Sequence, residues 1–109
     1  MNAERVLTRI TERIVRSCDP QAVVLFGSFA KGQQDVHSDI DILVVGRFPE
    51  SPHVRGRELR ESLREFPIRI DLLLMTSNEL SRQMEEPFGF LASVLGTSRT
   101  LYGKLDFSC

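Results

Sequence analysis

Three aspartates occupy places where aspartate is costly. Asp39 and Asp41 flank Ile40 at the head of the run Ile42-Leu43-Val44-Val45, and Asp71 interrupts Ile68-Arg69-Ile70 and Leu72-Leu73-Leu74-Met75. Aspartate is depleted from strands, and an ionised one removed from water needs a partner. Alternation along a strand puts Asp39 and Asp41 on one face, about 6.6 Å apart, and turns Ile40 and Ile42 the other way, into the core. If the strand bearing Asp71 lies alongside, about 4.8 Å away, the three carboxylates converge. Like charges so placed repel unless a cation sits among them or some take up protons. An all-oxygen donor set without His or Cys suits Mg²⁺ or Mn²⁺ rather than zinc. Two such ions can clamp the attacking and leaving oxygens of a phosphoryl displacement. On this reading Asp39 and Asp41 ligate metal, while Asp71 helps hold a second ion and is placed to accept the proton of an attacking hydroxyl. The plainer alternative is a set of strand-edge aspartates paired with Arg69 or Lys31, which requires three unusual placements to coincide.

A second group lies upstream, in Phe26-Gly27-Ser28-Phe29-Ala30-Lys31-Gly32. An apolar run ends at Gly27, and Ser28 opens what reads as a short helical turn. Free backbone N–H groups at such a start favour phosphate oxygens, and Gly27 permits close approach to the backbone. The Ser28 hydroxyl can donate to a terminal phosphate, and Lys31 can offset part of its charge. The segment is not a Walker A loop, because Gln33 follows Gly32 and no Lys-Ser or Lys-Thr pair is present. Taken alone, it reads more simply as an N-cap serine with a C-cap glycine.

The elements that must position these groups follow from periodicity. Apolar residues Val6, Leu7, Ile10, Ile14 and Val15 recur at helical spacing from about Asn2 to Ser17, and Asp19-Pro20 ends that helix. Ala22 to Gly27 and Ile40 to Val45 read as buried strands. A helix is expected from about His53 to Phe66, with Leu59, Leu63 and Phe66 as its apolar stripe and Pro67 as its breaker. Its arginines Arg55, Arg57, Arg60 and Arg64 alternate with acids and read as a solvated face, with Arg57 and Glu61 spaced for an i,i+4 pair; a docking surface is the sharper alternative. Ile68 to Met75 is the third strand. Thr76 and Glu79 have capping-box spacing. Pro87 begins a helical segment through Phe88, Phe90, Leu91 and Leu95, which are expected to pack in the core, although a chain this short could turn some of that surface to a partner. A short extended end covers Thr100 to Tyr102. The order α-β-(short α)-β-α-β-α-α-β predicts one layered α/β domain, residues 1–109, with a small mixed sheet flanked by helices.

Composition narrows the class. Fourteen Lys plus Arg against 15 Asp plus Glu give a net charge of −1, which makes no global case for nucleic acid or an acidic membrane as partner. Cys18 and Cys109 have no metal-ligand or redox spacing. No run approaches the ~18 apolar residues of a membrane span, and the charged start Met1 to Ile10 has no secretory signal, so a reduced, cytoplasmic setting is expected. His37, just before the acids, could contact a nucleotide or simply be solvated; His53 reads as structural.

Leu25-Phe26-Gly27-Ser28 through Asp39-Ile40-Asp41, followed by Arg69-Ile70-Asp71-Leu72, resembles the DNA polymerase β-like nucleotidyltransferase superfamily. Its mark is Gly-Ser, then Asp-x-Asp about ten residues on, then a third Asp on a later strand. Nearly the whole chain is similar to the MNT, or minimal nucleotidyltransferase, branch, down to Thr100-Leu101-Tyr102-Gly103. The resemblance implies the polymerase β-like fold and transfer of a nucleoside monophosphate, AMP from ATP, to an acceptor hydroxyl. It implies that Gly27 and Ser28 hold the triphosphate and that Asp39, Asp41 and Asp71 bind two Mg²⁺ ions. Lys31 stands where arginine is frequent, keeping the charge without the fork. It further implies a HEPN-domain toxin as partner, with this chain as antitoxin of a type VII-like toxin–antitoxin pair. Two alternatives stay open: an antitoxin that acts by contact alone, and the catalytic subunit of a small-molecule nucleotidyltransferase.

Overall fold

The computed structural model describes residues 3–27 and 40–105. Within them the chain forms α1 (Ala3–Cys18), β1 (Ala22–Phe26), β2 (Ile40–Val45), α2 (Arg57–Ser62) continued by a 3-10 turn (Leu63–Glu65), β3 (Ile70–Met75), α3 (Ser77–Met84), α4 (Phe90–Leu95) and β4 (Arg99–Gly103). The strands make one sheet in the order β3-β2-β1-β4. β1 is antiparallel to β2 and β4, whereas β2 and β3 are parallel. A parallel neighbour requires a crossover, and α2 supplies it. The sheet is therefore mixed, as its order of elements predicts.

Helices cover both faces. Val6, Leu7, Ile10 and Ile14 of α1 pack with Leu59 and Leu63 on Val23, Leu25, Ile40, Ile42 and Val44. On the other face Leu80 of α3 and Leu91 of α4 pack on Ala22, Val24, Phe26, Leu43 and Val45. The central strands are thus apolar on both sides, which is why Ala22 to Phe26 and Ile42 to Val45 read as unbroken runs rather than alternating ones. No described helix is long and apolar enough to cross a membrane.

The expected helix from His53 to Phe66 is shorter than its periodicity suggests. Gly56 takes a left-handed backbone with φ 79°, so helical conformation begins only at Arg57, and His53 lies in the preceding turns. A Cβ on Gly56 would collide with Leu74 Cδ1, so the glycine also lets this turn close on the edge of β3.

Beside it, Arg55 departs from the solvated face expected of it. It is only 4% exposed. Its guanidinium donates to Glu79 Oε1 at 2.6 Å, to Glu50 O at 2.8 Å and to Leu74 O at 3.2 Å, and it lies over the Phe48 ring. Glu79 in turn accepts from Thr76 N at 2.9 Å while its own N–H donates to Thr76 Oγ1 at 3.2 Å, so the expected capping box is present and holds the buried cation as well. The Arg55 guanidinium, with help from the Thr76 N–H, keeps the Glu79 carboxyl below its usual range. Arg60 donates to Leu72 O at 3.3 Å. Because Arg69 O and Met75 O face β2, accepting from Ile40 N and Gly46 N, Leu72 O and Leu74 O face the open edge of the sheet. Two arginines thus occupy the edge carbonyls that could otherwise pair with another strand. Further along α2, Glu61 lies 3.5 Å from Arg64 rather than pairing with Arg57.

Candidate active site at the head of the parallel strands

Asp41 and Asp71 are direct register partners in the parallel pair β2·β3. Neighbouring strands lie about 4.8 Å apart and partners in register point to the same face, so the two carboxylates rise side by side. Alternation puts them on the face of Leu43, Val45, Leu73 and Met75, under α3 and α4. The acids therefore sit at the rim of a second apolar layer, with Ile40 and Ile42 buried on the opposite face as expected. Asp41 is half-buried and Asp71 is exposed.

The end of β1 reaches the same place. Phe26 is the register partner of Asp41, and the next residue, Gly27, has φ 78°. A Cβ there would collide with Asp41 Oδ2. Glycine at position 27 serves two ends: it adopts a left-handed turn that a side chain resists, and it makes room for the Asp41 carboxylate to lie against the backbone. Two in-register carboxylates on neighbouring strands form a hard-oxygen donor pair that fits a divalent cation such as Mg²⁺.

The described cation nearest in sequence gives only weak competition. Arg69 Nε lies 3.9 Å from Asp71 Oδ1, and both side chains are more than half exposed. Exposed pairs of that kind contribute at most about 1 kcal/mol, so the plain strand-edge pairing exists for Asp71 but leaves it accessible. Ser28, Lys31 and Asp39, together with His37, lie outside the described residues. Among the described residues no three His, Cys, Asp or Glu side chains gather as a metal-binding group; the proposed trio needs Asp39. Cys18 donates to Ile14 O at 3.3 Å, and burial pushes its thiol pKa up, as fits a helix-end thiol.

Two residues stand out that spacing did not reveal. Arg55, beyond the far end of the parallel strands, is a buried cation. Phe88 was expected in the core with Leu91, yet it is 101% exposed. Its flanking Glu85-Glu86-Pro87 and Gly89 signal a turn rather than a helix start, and that signal could have placed it at the surface.

A model of the nucleotidyltransferase domain family matches residues 7–91. A Methanocaldococcus jannaschii protein, provisionally named a protein adenylyltransferase, is 27% identical over 95% of this chain and 77% of its own length. The crystal structure of a provisionally named nucleotidyltransferase from Sulfolobus solfataricus is 29% identical, covers 72% of this chain and 70% of its own, and superposes with a TM-score of 0.52. One chain of a toxin–antitoxin structure with AMP-PNP covers 89% of this chain and 73% of its own, with a TM-score of 0.52 at 22% identity; that likeness is one of fold.

Proposed function

The chain belongs to the nucleotidyltransferase domain family, and from that premise we propose that it transfers AMP from ATP to a hydroxyl of a partner protein. The observation that carries this reading is the register pairing of Asp41 with Asp71 beside the open turn at Gly27. The relative named as a protein adenylyltransferase, matched over 95% of this chain, supports the choice of a protein acceptor. That the acceptor is a HEPN-domain toxin, with this chain as its antitoxin, is the finer form of the proposal and rests on the MNT resemblance.

In this mechanism the acceptor oxygen forms a bond to the α-phosphorus as the bond from that phosphorus to the bridging oxygen breaks, releasing pyrophosphate. Such displacements depend on positioning and charge neutralisation more than on covalent chemistry. Gly27, with Ser28 and Lys31, would receive the triphosphate. Asp41 and Asp71, with Asp39, would hold Mg²⁺ or Mn²⁺, which when bound offsets the charge of the triphosphate and of the leaving group. Asp71, being exposed, can take the acceptor proton and pass it to solvent.

The test is incubation with ATP labelled at the α-phosphate, Mg²⁺ and cell lysate. The wild-type chain is expected to label one protein band, and Asp41→Asn or Asp71→Asn to label none. A wild-type reaction with no labelled protein defeats the proposal.

A further inference from the structure

The charge at the head of the parallel pair is not made of acids alone. Arg69 immediately precedes β3, and its carbonyl accepts from Ile40 N at 2.9 Å, so it continues the ladder by one residue. Residues two apart on a strand share a face, which puts the Arg69 side chain on the face of Asp71, and its Nε lies 3.9 Å from Asp71 Oδ1. Two other described arginines are engaged elsewhere. Arg99 donates to Glu4 at 2.6 and 2.9 Å, and Arg55 is buried beyond the far end of the strands.

The two acids differ in how firmly they are placed. Asp41 is half-buried, and its Oδ2 lies where a Cβ on Gly27 would stand, so it is set against the backbone. Asp71 is 52% exposed and Arg69 77% exposed. A long pair between two exposed side chains is held weakly, and this guanidinium can leave without opening the core. A divalent cation arriving alone meets the guanidinium beside one of its two described carboxylates, a like charge that opposes it. A cation arriving with a nucleotide brings phosphate charge, which attracts the guanidinium and frees Asp71. The same arginine therefore works against the bare ion and for the ion with its nucleotide.

We infer that Arg69 couples the cation to the nucleoside triphosphate. It is the resting counter-charge of Asp71 and turns to the phosphate charge when nucleotide arrives, so the site fills with both ligands together rather than with the ion first. A guanidinium stays charged throughout the working pH range, so the device depends on charge and not on protonation. Coupling between two ligands is reciprocal, so the ion raises nucleotide affinity by the same factor. The inference rests on the proposed cation site at Asp41 and Asp71 and adds how that site is filled. It does not depend on what the acceptor is.

The test follows Mn²⁺ binding to the intact chain by electron paramagnetic resonance, with and without a non-hydrolysable ATP analogue, the analogue alone serving as blank. No transfer is needed. Without the analogue, Arg69→Ala should bind Mn²⁺ about two- to fivefold more tightly than wild type, the scale of an exposed pair. With the analogue, that advantage should vanish or reverse. Arg69→Lys retains the charge and should stay near wild type, and high salt should narrow every difference. Thermal unfolding of Arg69→Ala should stay close to wild type, because an exposed pair contributes little. Equal Mn²⁺ affinity of Arg69→Ala and wild type without nucleotide overturns the inference. So does a gain of the same size with and without the analogue, which would make Arg69 a plain competitor with no link to the nucleotide. If wild type binds no Mn²⁺ even with the analogue, the cation site itself fails and this inference with it. If both ligands bind as expected while lysate stays unlabelled, the transfer proposal fails alone.

Discussion

The two ends of the parallel pair treat charge in opposite ways. At the far end a single cation, Arg55, is buried and surrounded: Glu79, two backbone carbonyls and the Phe48 face hold it. At the near end two carboxylates stand in register, and the exposed Asp71 lies 3.9 Å from an equally exposed arginine. The far end is complete within the chain and joins the loop after β2, the edge of β3 and the start of α3. The near end sets two like charges side by side, one half-buried and one exposed. Charge satisfied internally holds the scaffold together, whereas charge left accessible is available to a ligand.

Breaking the near end should remove activity and spare the fold. Asp41→Asn is expected to lower label transfer by about 10³-fold, the scale on which loss of one electrostatic contact to a transition state is felt, with unchanged or slightly higher melting temperature because like-charge repulsion is relieved. Breaking the far end should do the reverse. Arg55→Ala removes the guanidinium from Glu79, Glu50 O and Leu74 O and should cost roughly 3 kcal/mol in urea unfolding, with transfer per folded molecule near wild type.

Gly27→Ala sharpens the contrast, since it acts on both properties. Its β-carbon must occupy a left-handed backbone, at about 1–2 kcal/mol, and must displace Asp41 Oδ2, so stability and transfer should fall together. Thr76→Ala should cost about 1 kcal/mol in the same unfolding assay, through loss of the cap alone.

The smallest effect is one of pH. The folded-state pKa of Glu79 is lowered, chiefly by its hydrogen bond from Arg55. The stability this supplies is present above the unfolded value, near 4.5, and is lost as pH falls through the folded one. Wild type should therefore lose stability below about pH 4.5 more steeply than Arg55→Ala. Parallel slopes would detach the carboxyl from the arginine.

The near end was legible in the sequence because its residues violate local preference. An aspartate heading an apolar strand has no packing reason to be there, so Asp41 and Asp71 announced both strands and their shared face, and β2 and β3 pair them in register. Thr76 and Glu79 were legible because a capping box is a local device. Arg55 was not, because an arginine among alternating charges looks the same whether solvated or buried. What buries it is Gly56 turning the chain onto Leu74 and Glu79, a contact 24 residues away in sequence. Phe88 misled for a related reason: an apolar residue at helical spacing from Leu91 implies a core, whereas Phe88 lies in the turn before α4 and is exposed. The contribution of Ser28, Lys31 and Asp39 rests on the sequence pattern, since they lie outside the described residues.

The most direct test of the central claim is Mn²⁺ binding followed by electron paramagnetic resonance, with a non-hydrolysable ATP analogue present. The wild-type chain should bind the ion with nucleotide, and Asp41→Asn and Asp71→Asn should each weaken that binding by about tenfold or more while remaining folded. Equal Mn²⁺ affinity in all three proteins would contradict a cation site at the paired aspartates.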